Sequence, residues 1–439
     1  MSMNEKFLYH IWDAQHLQTD LHTESGEQVK VIYPGRWNTD AGPDFKEAII
    51  KIGDQVRRGD VEIHLCSYDW TAHKHHENKD FNQVILHLVY EHNAQYTHSI
   101  SENNKLIEIL VVKDKLNDDI NKLLEAYRER QFLPSDQFCG LFAGLDLETT
   151  SLMLQNFGNI RLRKKIDRFA AELFFSDFNQ LLYQGVMEAL GYSKNKFQML
   201  QLALILNYAL LKKFYYQGMT LDQLISILLT SSGLLERMPV TFPRELISKW
   251  IELYAQQDFF IETLEIEWHL FRIRPQNHPA IRLIQIADFL HRSLDHTFFY
   301  SILELFSCRQ DEFRTIEFTR KLYQLFADSS GIIPDSYRLG HERIDIILVN
   351  IILPLSILFA EKMNYPDFQK VAWELYADFK ALPENYLIEN MKKFMDSSQR
   401  KLISRKAIYQ QGLIQIYYSF CQHQYCQSCE KIGKESFLK

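Results

Sequence analysis

The chain has 439 residues, of which 46% are hydrophobic and 24% charged, with a formal net charge of −7. That length predicts two or more packed units, and the composition is that of an ordinary globular protein rather than a disordered or fibrous one. The negative balance excludes a global basic field, so any contact with nucleic acid must be a local patch.

Residues 1–17 have a helical period, and no apolar core follows a basic flank there, so no signal peptide is read. Short runs rich in Val and Ile follow at 29–33, 48–52, 61–65, 84–90 and 106–112, with Gly26, Gly35, Gly53 and Gly59 at the turns. Such runs predict strands, and residues 1–115 therefore read as a small mixed α/β domain. From residue 116 to 406 apolar residues recur at three- and four-residue spacing. Helices are predicted at 118–131, 148–176, 177–190, 194–216, 220–229, 244–256, 280–294, 298–306, 344–363 and 368–379. No fixed-period repeat marks a solenoid. The longest apolar run, 346–360, carries Asn350 and Pro354 and falls short of the ~20 residues a bilayer helix needs, so a buried core helix is expected rather than a membrane span. The fold class is α+β: the small N-terminal domain, an all-helical region over 116–406, and a cysteine-containing tail over 407–439. Six cysteines, unevenly spread, make no disulfide framework and predict a reducing, cytoplasmic setting.

The first domain carries the densest chemistry. Asp44, in Gly42-Pro43-Asp44-Phe45, immediately precedes one strand, and Glu62-Ile63-His64 lies on the next. Side chains alternate along a strand, so Glu62 and His64 share one face while Val61, Ile63 and Leu65 take the other. If the two strands pair as a hairpin, Asp44 and Glu62 approach across it and hold a divalent cation, Mg or Mn, with Zn as the other choice. Such an ion polarises a phosphate and lowers the pKa of water. His73 and His76 follow Asp69-Trp70, and imidazoles beside carboxylates favour Zn or Mn. His75, His76 and Glu77 otherwise read as a solvated loop, and His87 as a hydrogen-bonded core residue. The candidate catalytic group is Asp44, Glu62, His64 and His73.

This pattern resembles the PD-(D/E)xK nuclease core, in which a Pro-Asp opens one strand and the next carries an acidic residue, an apolar residue and a lysine. Pro43-Asp44 and Glu62-Ile63-His64 stand in those places, with His64 where the lysine is expected. The resemblance implies a helix and a further strand after His64, and an activity of phosphodiester hydrolysis. Histidine supplies less positive charge than lysine near neutral pH. Over nearly its full length the chain also resembles an uncharacterised bacterial family, domain of unknown function 2851. The stretches that carry this are GPDFKEAII, GDVEIH, DWTAHKHH and NQVILHLVY in the first domain, and LGYSKNK, FRIRPQNHP, VNIILP and the cysteine tail beyond it.

In the tail, Cys421-x4-Cys426-x2-Cys429 is a spacing that wraps a metal, either Zn or an Fe–S cluster. Cys139 is the candidate fourth ligand, with Cys66 and Cys308 behind it and His423 as an alternative for zinc. Some PD-(D/E)xK nucleases tie their domain with an Fe–S cluster held by one upstream and three C-terminal cysteines. The basic runs Arg161–Arg168 and Arg400–Lys406 are candidate DNA or RNA contacts, although such runs are usually solvated helix faces. Arg272, Arg274 and Asn277, in a loop bounded by Pro275 and Pro279, are a candidate phosphate clamp. The expected function is a metal-dependent, nuclease-like enzyme. The alternative is a binding or scaffold protein that keeps the fold and a structural Zn or Fe–S site without the chemistry.

Overall fold

Two stretches of chain separated by 272 residues of helices make the first unit: residues 1–143 and 416–439 cluster together, and 144–415 form the second. The computed structural model describes residues 4–38, 41–117, 139–192, 194–256, 261, 264, 266–295, 298–306, 314–327, 331, 337–423, 426 and 429. The helix expected at 118–131 lies outside the described residues, as does Cys308.

In the first unit, helix α1 (Glu5–Asp13) is capped by Asn4, whose side chain accepts from the Phe7 N–H, and it buries Phe7, Leu8, Ile11 and Trp12. A mixed sheet follows: β1 (Leu21–His22), β2 (Gln28–Tyr33), β3 (Arg36–Trp37), β4 (Phe45–Ile52), β5 (Gln55–Cys66), β6 (Val84–Glu91), β7 (His98–Ile100) and β8 (Leu106–Val111). The strand order is β1-β2-β4-β5-β6-β8-β7, with β3 also on β4. β4 and β5 are an antiparallel hairpin turned at Gly53, which takes φ +57°. β5 to β6 is a parallel crossover, and β8 lies parallel to β6.

The crossover contains α2 (Asp69–Ala72) and two 3-10 turns, His75–Glu77 and Lys79–Phe81. A helix was expected here, and only four residues form one. Strand alternation gives β5 two characters: Val61 and Ile63 join α1, Leu86 and Leu88 in the main core, while Trp70 and Phe81 from the crossover cover Val84 and Ile107 in a second cluster. Glu62, His64 and His87 lie buried between these apolar groups. Phe420 packs against the main core, and the chain from residue 416 clusters with this unit.

The second unit is helical, as the spacing predicts. Its longest helix, Leu147–Glu172, starts on an Asp146 cap. The single helix expected over 194–216 is two, Lys196–Ile205 and Tyr208–Tyr216, because the Asn207 side chain caps the second by accepting from the Leu210 N–H. The apolar periodicity runs through this break, so it does not reveal it. Among the described residues one helix, His341–Met363, is long and apolar enough to cross a membrane, and 78% of its apolar window is buried inside the protein. It contains a π turn at Leu348–Ile352, just before Pro354, whose missing N–H interrupts the helical bonding pattern. The expected core helix is therefore present.

Candidate metal centre

Hairpin register brings the first two residues together. Phe45 is opposite Val61, so Asp44 is beside Glu62. The Asp44 N–H donates to Glu62 Oε2 at 3.1 Å, and the Ile63 N–H donates to Asp44 Oδ2 at 3.0 Å. The Tyr9 side chain from α1 also hydrogen-bonds Asp44. Both carboxylates are thus fixed from two directions.

Three imidazoles close over Glu62. His64, 2% exposed, comes from the same face of β5, and its Nε2 lies 3.5 Å from Glu62 Oε1. His73 and His75 come from the crossover. Between them Lys74 takes φ +60°, a left-handed conformation that costs a non-glycine residue and that folds the chain back over β5. His73 Nδ1 is 3.1 Å from His64 Nε2, and His75 Nε2 is 3.3 Å from Glu62 Oε1. The His75 ring is held by Phe81, stacked at 3.8 Å between centroids, and by the edge of Trp70 at 5.4 Å. Ligand atoms of His64, His73 and His75 all lie within 4.8 Å of one another.

These residues fit a metal ion of the zinc type. Zn–N bonds of about 2.0–2.1 Å at tetrahedral angles set neighbouring donors roughly 3.3–3.4 Å apart; His64 Nε2 and His73 Nδ1 are 3.1 Å apart, and the three donors lie within 4.8 Å of one another. His75 Nε2 is buried and lacks a hydrogen-bond partner, an unsatisfied state that an ion would relieve. His64 exposes its lone pair on Nε2 only if Nδ1 carries the proton. His87 Nε2 lies 2.8 Å from that Nδ1, and Ser99 Oγ is 2.8 Å from His87 Nδ1. A relay in which His64 donates to His87, and His87 to Ser99, selects the metal-binding tautomer. The imidazole series runs from buried His64 through half-buried His75 to exposed His73, so the cluster opens to solvent at His73.

Burial governs the charges. It pushes Glu62 up to about 8, against the opposing Asp44 N–H bond. Burial, then the Glu62 charge, pushes Asp44 up to about 7. His87 is driven down to about 3 by burial and by His75 and His92, and burial with the imidazoles around it drives His64 lower still. Both are therefore neutral at physiological pH, the form that binds a metal. Glu5, at the start of α1, is raised by burial while His73 and His75 favour its ionised form, which places a further carboxyl at this centre.

The sequence brought Asp44, Glu62, His64 and His73 to one place, and the structure adds His75, His87, Ser99, Tyr9 and Glu5. His76, read together with His73, instead faces Glu77 at 3.4 Å. Arg272 and Arg274 are exposed, with Arg272 lying over its neighbour Phe271, and Asn277 lines a cavity of the helical unit. The basic run at 161–168 is also tied within its unit: Arg161 to Gln411, Arg163 to Glu361, Lys165 to Asn350 and Arg168 to Glu188. Cys139, Cys421, Cys426 and Cys429 all belong to the first unit. Burial, then the charges of Cys139 and Cys426, push the Cys421 thiol up to about 12, so these three thiols are neighbours.

A family described as "Protein of unknown function (DUF2851)" matches residues 5–385. No curated protein and no solved structure matches the chain.

Proposed function

The chain belongs to this family of unknown function, and from the geometry of the centre we propose a metal-dependent hydrolase of phosphodiesters, with His64, His73 and His75 holding the ion and Glu62 as acid–base group. The observation that supports it most is the meeting of three imidazole donors with a buried carboxylate, at 3.1 to 3.5 Å between successive partners. An imidazole-rich set favours Zn, or Mn, over Mg. When bound, such an ion polarises a phosphate oxygen and lowers the pKa of water to about 7.

The chain's own groups do the rest. Glu62 Oε1 lies beside two of the imidazoles and takes the proton from the attacking water. Asp44 positions Glu62 through its backbone N–H and is itself held by Ile63 and Tyr9. This reverses the roles expected from the two carboxylates: the histidines bind and a carboxylate reacts. The hairpin headed by Asp44 and its parallel crossover into β6 support the nuclease-like reading, although the crossover helix is short. The test is hydrolysis of an activated phosphodiester, and of single- and double-stranded DNA and RNA, by protein loaded with Zn or Mn. Cleavage abolished by a chelator and restored by the ion is expected; cleavage unaffected by chelation sinks the proposal.

The thiols of Cys139, Cys421, Cys426 and Cys429 form a second, structural site for Zn or an Fe–S cluster in the same unit. The proximity of Cys139 and Cys426 to Cys421 supports it, as does the burial of Cys429. Cys426→Ser is expected to lose this metal and lower the melting temperature while the histidine site still loads. Unchanged total metal content in the variant overturns the assignment.

A further inference from the structure

The helical unit contains a cavity of about 380 Å³ lined by Tyr192, Asn277, Arg282, Arg338, Glu342 and Arg343, among others. Among the described residues two arginines in it make no ion pair, Arg282 buried and Arg343 half-buried. Arg282, 5% exposed, donates to Gln285 Oε1 at 2.7 Å, to Asn277 Oδ1 at 2.7 Å and to the Tyr192 hydroxyl, all neutral acceptors. Arg343 donates to the Ala189 carbonyl at 3.4 Å, and its guanidinium lies over the Tyr192 ring, 3.4 Å from the centroid. The Nε of each is buried with no hydrogen-bond partner. Among the described residues neither makes an ion pair, and Glu342 is exposed.

Burying a guanidinium without a carboxylate is costly, and placing two against one aromatic ring adds like-charge repulsion. Burial and the charge of Arg282 both oppose protonation of Arg343, with Tyr192 and then Glu342 acting the other way. Tyr192 itself sits at φ +55°, a strained conformation for an aromatic residue. The Gly191 before it has no room for a Cβ, which would meet the Asn195 carbonyl oxygen at 2.2 Å. An anion with several acceptor oxygens in the cavity would satisfy the orphaned Nε donors.

We propose that this cavity binds the phosphate group of a small phosphorylated molecule through Arg282 and Arg343, with Arg338 and Asn277 beside them. The two guanidinium groups of Arg282 and Arg343, against the single exposed carboxylate of Glu342, match a phosphate dianion better than a carboxylate. The volume lies in the range of about 300–1,000 Å³ usual for small-molecule sites, leaving room for the group that carries the phosphate. The cavity belongs to the second unit and the metal centre to the first.

The experiment is isothermal titration at fixed ionic strength with inorganic phosphate, a nucleoside monophosphate, a sugar phosphate and acetate. Saturable binding of at least one phosphate compound is expected, with acetate inert. A phosphate ester that binds more tightly than inorganic phosphate identifies an ester site, and equal binding identifies free phosphate. Arg343→Gln weakens the binding at least tenfold, and Arg320→Gln, on an exposed arginine paired with Glu317 outside the cavity, leaves it unchanged. Should Arg343→Gln not fold, Arg338→Gln, an exposed change, carries the test with a smaller loss. Absence of saturable phosphate binding, equal binding of acetate, or full binding by both cavity variants overturns the proposal.

Discussion

Alanine at His75 removes the ion from the N-terminal centre. Protein loaded with zinc and freed of excess is expected to lose more than about 100-fold in affinity, because changes in the outer shell alone cost about 10- to 100-fold. His64→Ala does the same but also empties a buried place and leaves His87 Nε2 without its partner, so its stability suffers too. His73→Ala is the cleanest arm: His73 is exposed, and removing it costs a ligand with little packing. His87→Phe gives the intermediate loss, since it removes only the acceptor that sets the His64 tautomer. His76→Ala is the control, because His76 faces Glu77 away from the cluster. Competition against a chromogenic chelator measures all five. Unaltered zinc affinity in both His73→Ala and His75→Ala rules the site out.

The difference between His64 and His75 shows what was legible in the sequence. Asp44, Glu62 and His64 lie on a hairpin, where period-two alternation and a tight turn fix which side chains meet. That reasoning needs only twenty residues of local pattern. His75 reaches the centre because Lys74 adopts a left-handed conformation and because Phe81 and Trp70 grip its ring. Neither is written in the spacing, and a His-rich loop reads as solvated until its path is known. The closest available signal was His73-x-His75 itself, two donors one residue apart. The cavity arginines show the opposite case. Prolines bound the loop of Arg272 and Arg274 and make it conspicuous, while Arg282 sits within the buried run Ala280–Leu290, where a charge in an apolar helix is the stronger sign of a site. Helical character followed from periodicity, although Arg314–Phe326 and Ala407–Ser419 are helices beyond those expected, and the return of the chain at Phe420 to the first unit rests on long-range packing that no local pattern encodes.

Glu62→Gln separates binding from chemistry. The amide keeps the shape of the side chain, and its oxygen still accepts the Asp44 N–H that now reaches Oε2 at 3.1 Å. Three imidazoles remain, so zinc loading is expected to fall by less than tenfold. Phosphodiester hydrolysis is expected to fall by about 10²- to 10⁴-fold, the usual contribution of a positioned general base. The pH profile supplies the sign. Burial raises Glu62 to about 8 in the metal-free protein, so below that pH the carboxyl is largely protonated and cannot accept a proton. Activity therefore rises with pH as Glu62 ionises. The positive charge of a bound ion favours the carboxylate, so the midpoint of the rise falls below 8 in the loaded enzyme. Glu5→Gln removes one of the neighbouring charges that raise Glu62 and shifts the limb further toward acid pH, a displacement that a purely structural Glu5 would not produce. Equal losses of zinc and of activity in Glu62→Gln would make Glu62 a ligand rather than a base, and the proton would then have to be taken by Asp44, the other buried carboxyl with a pKa raised to near neutrality.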